Sequence, residues 1–477
     1  MLRPSSSRIA SRYLIARSSH ARRAFRSSSS YSDNDNDKNT TKIKPSPLAV
    51  SLFKNPIVHQ LWTARQEAKQ RKGTAGQAAG SLDPDGNTTP SLPQPKSPAD
   101  SRVAISYPFT TDELLLESYR NPWGQMRFGR IIEDLDALAG NIAFFHVDDS
   151  DRPEANHPII VTASVDRICL HQRPAVGVDQ YLSGQVTWTG TSSMEIRMQC
   201  SSSPNIGDGL EWLEAFVTFV TLDPVTKKPT AIPAIQPTTP HEHALEKVGA
   251  ARAAVKKKRR QQHTVHVHQS NNNNNEAIDK LAADLLTEAG PLLNMPSLAD
   301  PHSILMQATK MQNAMIAQPQ AQNMHKRIFG GFLMRRGFEL AFSNAYVFGG
   351  ARPLFLEVDD VSFASPVDVG DLLVFNSRVL YTDTGKLRDY YTQMKDSDAS
   401  TMCTDREVPI VHVEVEAWVT EPEKASARLS NQFYFTFAIN VDAAEKNVPV
   451  RRVLPSNIDE ARRMAIRILV DREQNEE

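Results

Sequence analysis

The chain has 477 residues, with 54 basic and 55 acidic side chains, a net charge of −1 and 40% apolar residues. That length suits two or three domains with packed cores, and the charge balance excludes a chain that works through bulk charge on nucleic acid. Three cysteines, Cys169, Cys200 and Cys403, are too few and too scattered for a disulfide framework or a metal cluster, and no run of about 18 apolar residues marks a membrane span.

The first 32 residues place Arg3, Arg8, Arg12, Arg17, Arg22, Arg23 and Arg26 among serines, with no acid before Asp33. Leu2, Ile9, Tyr13, Leu14 and Ile15 add a weak apolar face. This is the composition of a mitochondrial presequence, so import, to the matrix, is expected; the bland alternative is a basic tail. Residues 33–102 read as a disordered polar linker, interrupted by a short amphipathic stretch from Pro56 to Lys72. Ordered structure is expected from about Val103.

From 103 to 228 the pattern predicts a buried helix, Phe128 to Gly140, then strands at Ile159–Ile168, Tyr181–Trp188, Met194–Met198 and Ala215–Leu222. Residues 229–300 break it. A Pro-rich stretch leads into the basic run Lys256–Arg260, then His263, His266 and His268, then asparagines at 271–275. This reads as a solvated, disordered linker rather than a metal or nucleic-acid site. From 301 to 440 the first pattern returns, with a helix over 329–342 and strands at 354–363, 372–381, 410–419 and 432–439. In the tail, 441–477, an amphipathic helix is expected from Ser456 to Arg472, capped by Ser456 with Asp459.

The second helix opens at Phe329-Gly330-Gly331. Glycine allows a sharp turn and close backbone approach. The free N–H groups of a first helical turn, beside the positive end of the helix dipole, suit an oxyanion. Glu339, farther along the same helix, is a carboxylate that needs a partner or a purpose.

The two halves overlay as an internal repeat. Val165-Asp166 matches Val358-Asp359, Gly177 matches Gly370 and Val186 matches Val379, each 193 residues apart, while Phe128-Gly129 matches Phe329-Gly330 at 201. A sheet curled on one helix leaves an edge strand open; two copies that pair these edges form one sheet and bring their central helices together. An insertion is expected near 383–408.

This arrangement resembles the hotdog fold, and specifically the mitochondrial acyl-coenzyme A thioesterases with two hotdog domains. The resemblance rests on RIFGGFLMRRGFELA, 327–341, and FGGARPLFLEVDDVSFASPVDVGDLL, 348–373, with MRFGRIIEDLDALA, 126–139, and SGQVTWTGTSSMEIRM, 183–198, in the first half. It implies an α+β fold, a tandem hotdog over about 103–440, each unit a long central helix wrapped by a curved antiparallel sheet. It also implies hydrolysis of fatty acyl-CoA to fatty acid and coenzyme A, with no metal or cofactor beyond the coenzyme A of the substrate. No nucleic-acid partner and no stable membrane insertion are expected, and the implied assembly is a homo-oligomer, a trimer of two-hotdog chains.

The resemblance further implies a site made of an Asn ahead of the Gly-Gly turn and an acid on the opposite central helix. Asn323, seven residues before Gly330, takes the first role; Asp136 takes the second, with Glu133 and Asp134 nearby. Gly330 and Gly331 are the expected thioester-binding donors. The other pairing, Asn121 with Glu339, is expected to be the degraded one: Asn121 stands eight residues before Gly129, and Arg130 replaces the second glycine. The competing readings are a hotdog hydratase or dehydratase, for which His325 is the only histidine contender, and a non-catalytic acyl-CoA binder.

Overall fold

The computed structural model describes residues 61, 63, 94–147, 158–204, 210–266, 272–323, 327–386, 407–439 and 450–476. The presequence, most of the 33–102 linker and the Pro56–Lys72 stretch, His268, His325, Cys403 and most of the 383–408 insertion lie outside them.

The first half opens with a 3-10 turn at Pro98–Ser101, strand β1 (Val103–Tyr107) and a short helix α1 (Glu113–Tyr119). The central helix α2 (Phe128–Val147) follows, then β2 (Ile159–Leu170), β3 (Gln180–Thr189), β4 (Ser193–Ser201) and β5 (Glu211–Leu222). Ile131, Leu135, Leu138 and Ile142 recur at helical spacing along α2, and all are buried. In β5 burial alternates from Leu213 onward, as one face of a strand on a core requires.

Helices α3 (Pro240–His266) and α4 (Asn272–Asn294) come next. The second half contains β6 (Ser303–Leu305), a 3-10 turn at Met306–Thr309, β7 (Met311–Ile316), the central helix α5 (Gly330–Gly349), β8 (Leu354–Phe363), β9 (Leu372–Lys386), β10 (Glu407–Glu421) and β11 (Ser426–Ala438). Strand β12 (Arg452–Leu454) and helix α6 (Ile458–Glu476) close the chain.

Ten strands make one antiparallel sheet in the order β1-β3-β4-β5-β2-β8-β11-β10-β9-β7. Read from either edge, the order is the same under the repeat. The halves join where β2 pairs β8, with Val165 opposite Val361 and Ile168 opposite Val358. This is the expected edge pairing, and the architecture is that of a double hotdog.

The register of 193 residues holds in detail. Val186 N–H donates to Ser101 Oγ at 3.0 Å, and Val379 N–H to Thr309 Oγ1 at the same distance. Both hydroxyls in turn donate to a carbonyl three residues back, Pro98 and Met306. Gly177 and Gly370 both have positive φ, 84° and 99°, a conformation that excludes most other residues.

Two expectations are corrected. The disordered linker of 229–300 is instead largely helical. Thr239 Oγ1 accepts the Glu242 N–H, and the Glu242 carboxylate accepts the Thr239 N–H, so a capping box starts α3 with Pro240 at its first position. Arg252 of α3 then reaches Glu195 of β4 at 2.7 and 2.9 Å and covers the Phe216 ring at 3.9 Å, while Lys256 meets Asp166. In α4, Ala282, Leu285 and Ala289 form a buried stripe; the polar composition around it hid this periodicity. The cap of α6 is also one residue later than expected. Asn457 Oδ1, not the Ser456 hydroxyl, accepts the Glu460 N–H, and Glu460 reaches back to the Ser456 N–H.

Candidate active site

Helices α2 and α5 pack side by side under the joined sheet, and glycine sets how closely. A Cβ on Gly331 would lie 2.7 Å from a Phe329 ring carbon and 2.8 Å from the Glu133 carbonyl oxygen. On Gly330 it would lie 2.9 Å from the Phe363 ring and 3.0 Å from Asp136 Oδ2. Only a side-chain-free turn admits this contact.

The contact brings a carboxylate of one half to the backbone of the other. Gly331 N–H donates to Asp136 Oδ2 at 2.6 Å, and the Thr162 hydroxyl of β2 donates to Asp136 Oδ1 at 3.2 Å. Asp136 is 3% exposed. Burial raises its pKa to about 6, against the lowering effect of the two hydrogen bonds. It is therefore a carboxylate poised to exchange a proton near neutral pH.

Asp136 and Thr162 line a cavity of about 660 Å³. Asn323, Gly330 and Phe329 of the second half line it too. Asn323 is held to Arg327: its N–H donates to the Arg327 carbonyl at 2.6 Å, and its Oδ1 accepts the Arg327 N–H at 3.2 Å. The expected pair of glycine donors is only half available. Gly331 N–H is committed to Asp136, because the helix N-terminus satisfies the nearest buried carboxylate first; Gly330 N–H meets no acceptor among the described residues.

The repeat-related position is built differently. Asn121 makes the same pair of bonds as Asn323, its Oδ1 accepting the Gln125 N–H and its own N–H donating to the Gln125 carbonyl. Its helix partner is missing, however. The expected helix match at 201 is corrected to 202, because Asn121 bonds Gln125 as Asn323 bonds Arg327, and Arg127 N–H meets the Tyr119 carbonyl as Phe329 N–H meets that of Ala321. The counterpart of Asp136 is therefore Phe338, whose ring would lie 3.4 Å from a Cβ on Gly129. The counterpart of Thr162 is Phe355: Thr162 pairs with Phe219 as Phe355 pairs with Phe437. Phe355 packs at tilted and edge-to-face angles against Phe128, Phe338 and Phe437, so rings fill this position.

Glu339 lies elsewhere on α5, among arginines. Arg127 Nη2 and Arg335 Nε donate to Oε1 at 2.9 and 3.1 Å, and Arg336 Nη1 to Oε2 at 3.2 Å. Burial alone would raise its pKa, but the charge and hydrogen bonds of Arg335 and Arg127 outweigh it and hold the carboxyl below its ordinary value. This answers the need for a partner noted in the sequence. Glu133 bonds Arg335 at 3.0 Å, and Asp134 is a buried acceptor for the Tyr107 and Tyr119 hydroxyls. Neither lines the cavity.

Thr162 is the site residue that sequence reasoning missed. A threonine on an alternating strand carries no motif; its match to Phe355 at the 193 offset was the available signal. Helix α2 also runs beyond its predicted end and includes His146, which is buried, bonded to the Pro233 carbonyl at 2.9 Å and lowered by burial to a pKa of about 4. Among the described residues no group of His, Cys, Asp and Glu is arranged to hold a metal ion, and no helix is long and apolar enough to cross a membrane.

No protein-family model matches the chain. It is 38% identical over 439 residues to acyl-coenzyme A thioesterase 2, chloroplastic, of Humulus lupulus, covering 91% of this chain and 92% of that one. It is 39% identical over 439 residues to acyl-coenzyme A thioesterase 4, mitochondrial, of the same plant, covering 91% and 76%. Among solved structures, an apo-hexameric acyl-CoA thioesterase is 28% identical with a TM-score of 0.29, over 35% of this chain and 97% of that one.

Proposed function

The chain belongs to the acyl-coenzyme A thioesterases, and from that premise we propose that its one fully equipped composite site hydrolyses fatty acyl-CoA to fatty acid and coenzyme A. The observation that carries the reading is the buried Asp136 carboxylate, held by Gly331 N–H and Thr162 beside a cavity that Asn323 also lines.

In the proposed reaction Asp136 is the general base. With a pKa near 6 it is ionised at neutral pH yet basic enough to take a proton from water. Gly331 N–H and Thr162 fix its orientation, and lone pairs remain for the water. Asn323 orients that water or the thioester oxygen. As the C–O bond forms, charge develops on the carbonyl oxygen, and the Gly330 N–H at the start of α5 is the donor for it. The C–S bond then breaks, and the thiolate of coenzyme A takes up the proton that Asp136 received. Water, acid and thioester balance the step without a further reagent.

This reading is preferred to a hydratase or a silent binder because the polarised group is a carboxylate beside a helix N-terminus, in a chain of thioesterase sequence. Thiol release from palmitoyl-CoA by the purified protein tests it. Turnover above the buffer rate supports hydrolysis; saturable binding without thiol release would make the chain a binder.

We also propose that residues 1–32 direct import into mitochondria. The arginine-rich, acid-free composition supports this, and one of the two plant relatives is named mitochondrial while the other is named chloroplastic. A reporter fused to residues 1–40 distinguishes the organelles. The proposal that two-half chains assemble further, into trimers, rests on the resemblance, and light scattering tests it.

A further inference from the structure

Gly140 is a glycine inside a helix with no packing reason to be one. Its neighbours in this respect, Gly330, Gly331 and Gly337, all face atoms within 3.1 Å of a Cβ. A Cβ on Gly140 meets nothing within 4 Å among the described residues, and its φ is not positive. Glycine weakens a helix interior relative to alanine, so the residue sacrifices stability without a steric return from the protein.

What lies in front of it is the cavity of the site. Gly140 lines that cavity, and it stands four residues after Asp136, on the same face of α2. The first-half arm of the lining, which includes Gly140, is mostly apolar, with Ile159, Val161, Phe219 and Leu222, although Asn141 and Lys227 also belong to it. The second-half arm mixes the polar Asn323, Arg327, Ser365 and Asn431 with apolar residues. The first suits a hydrocarbon chain, and the polar groups of the second suit the pantetheine of coenzyme A.

We infer that the acyl chain runs from the thioester at Asp136 across Gly140, and that this glycine sets the acyl length the site accepts. The inference rests on the thioesterase reading of the same site. Four residues of helix span about 6 Å. Extended covalent chains advance roughly 1.2 Å per bond, so a side chain at position 140 would meet the acyl chain at about its fifth carbon. Shorter chains stop before it.

Gly140→Leu tests this, with Gly140→Ala as the fold control. The expected result is that Gly140→Leu hydrolyses butanoyl-CoA within about three-fold of the parent but loses ten-fold or more in kcat/KM for palmitoyl-CoA, the scale set by a misfit of a few methylene groups. Binding of thioethers supplies a readout independent of turnover: S-hexadecyl-CoA should bind at least ten-fold more weakly and S-butyl-CoA unchanged. Gly140→Ala should raise the melting temperature. Equal loss for short and long chains, in turnover or binding, would show that this arm takes coenzyme A and would overturn the inference; so would unchanged palmitoyl-CoA kinetics. A parent that binds S-hexadecyl-CoA but hydrolyses no thioester would instead overturn the hydrolase reading and leave the binding comparison to decide the role of Gly140.

Discussion

The carboxylate of Asp136 in the first half accepts the main-chain N–H of Gly331 in the second, 195 residues away, at 2.6 Å. This one bond joins the two repeats at the point where the chemistry is proposed. It also explains an asymmetry. The reciprocal bond would run from the Gly129 N–H to an acid at 338, but the chain has Phe338 there, its ring 3.4 Å from where a Cβ on Gly129 would lie. Among the described residues, one acid, one glycine turn and one asparagine, drawn from both halves, line a single cavity.

Activity should follow the ionisation of Asp136. The value of kcat/KM for a long-chain acyl-CoA should rise with pH through about 6 and then level, as the base loses its proton. Stability should move the opposite way. The folded pKa lies above the unfolded one, so between about pH 4 and pH 6 the folded state holds a proton that the unfolded state has lost, and stability falls as pH rises through that window. The raised pKa corresponds to at most about 3 kcal/mol. Asp136→Asn should lack both dependences. Denaturant unfolding at pH 4 and pH 7, beside the rate profile, checks this; a variant that keeps the rise near pH 6 would remove Asp136 from the role.

Gly331→Ala should be costlier than an ordinary glycine substitution in a helix. The added methyl would press on the Glu133 carbonyl at 2.8 Å, which is backbone and moves only with α2. Overpacking of this kind costs about 1–3 kcal/mol, and it should lower turnover as well by displacing the Asp136 bond. Gly330→Ala meets mainly the ends of side chains, Phe363 and Asp136, so turnover should fall more than stability does. Melting curves and thiol-release rates on both variants compare the two.

Helix α3 should contribute to the fold rather than merely connect its halves. Arg252→Ala would leave Glu195, whose side chain is 3% exposed, without its two-pronged partner. Breaking a buried pair costs roughly 3–5 kcal/mol, and the partial exposure of Arg252 favours the lower end. A denaturation midpoint unchanged by this substitution would return α3 to the status of a linker.

The frame of the molecule was legible because it is written twice. Two glycines 193 residues apart turn out to share a positive φ, and two valines at the same spacing make the same hydrogen bond to a hydroxyl. Residues 159–168 and 354–363 are rich enough in β-branched and other apolar residues to be read as strands, and their pairing joins the sheet. What escaped is what depends on distant partners or is masked by composition. Thr162 is unremarkable until Asp136 is placed beside it. Glu339 stood out as a lone carboxylate, yet two of its three arginines, Arg335 and Arg336, are its own helix neighbours and the third comes from the other half. The Thr239–Glu242 capping box sat among prolines and histidines, and low-complexity composition outweighed the start signal. The sequence suggests a pair of free helix-terminal donors, because it does not show that a buried carboxylate takes one of them.

The central claim is that one composite site does the work, and turnover of palmitoyl-CoA by four single variants, each checked for a native circular dichroism spectrum, tests it most directly. Asp136→Asn and Asn323→Ala, drawn from opposite halves, should each lower kcat on the order of a hundred-fold or more, as loss of a positioned base or orienting group does. Asn121→Ala and Glu339→Gln, from the ring-filled counterpart and the arginine cluster, should stay within a few-fold of the parent. Abolished turnover in Glu339→Gln with Asp136→Asn nearly unchanged would contradict the account and reverse the roles of the two halves.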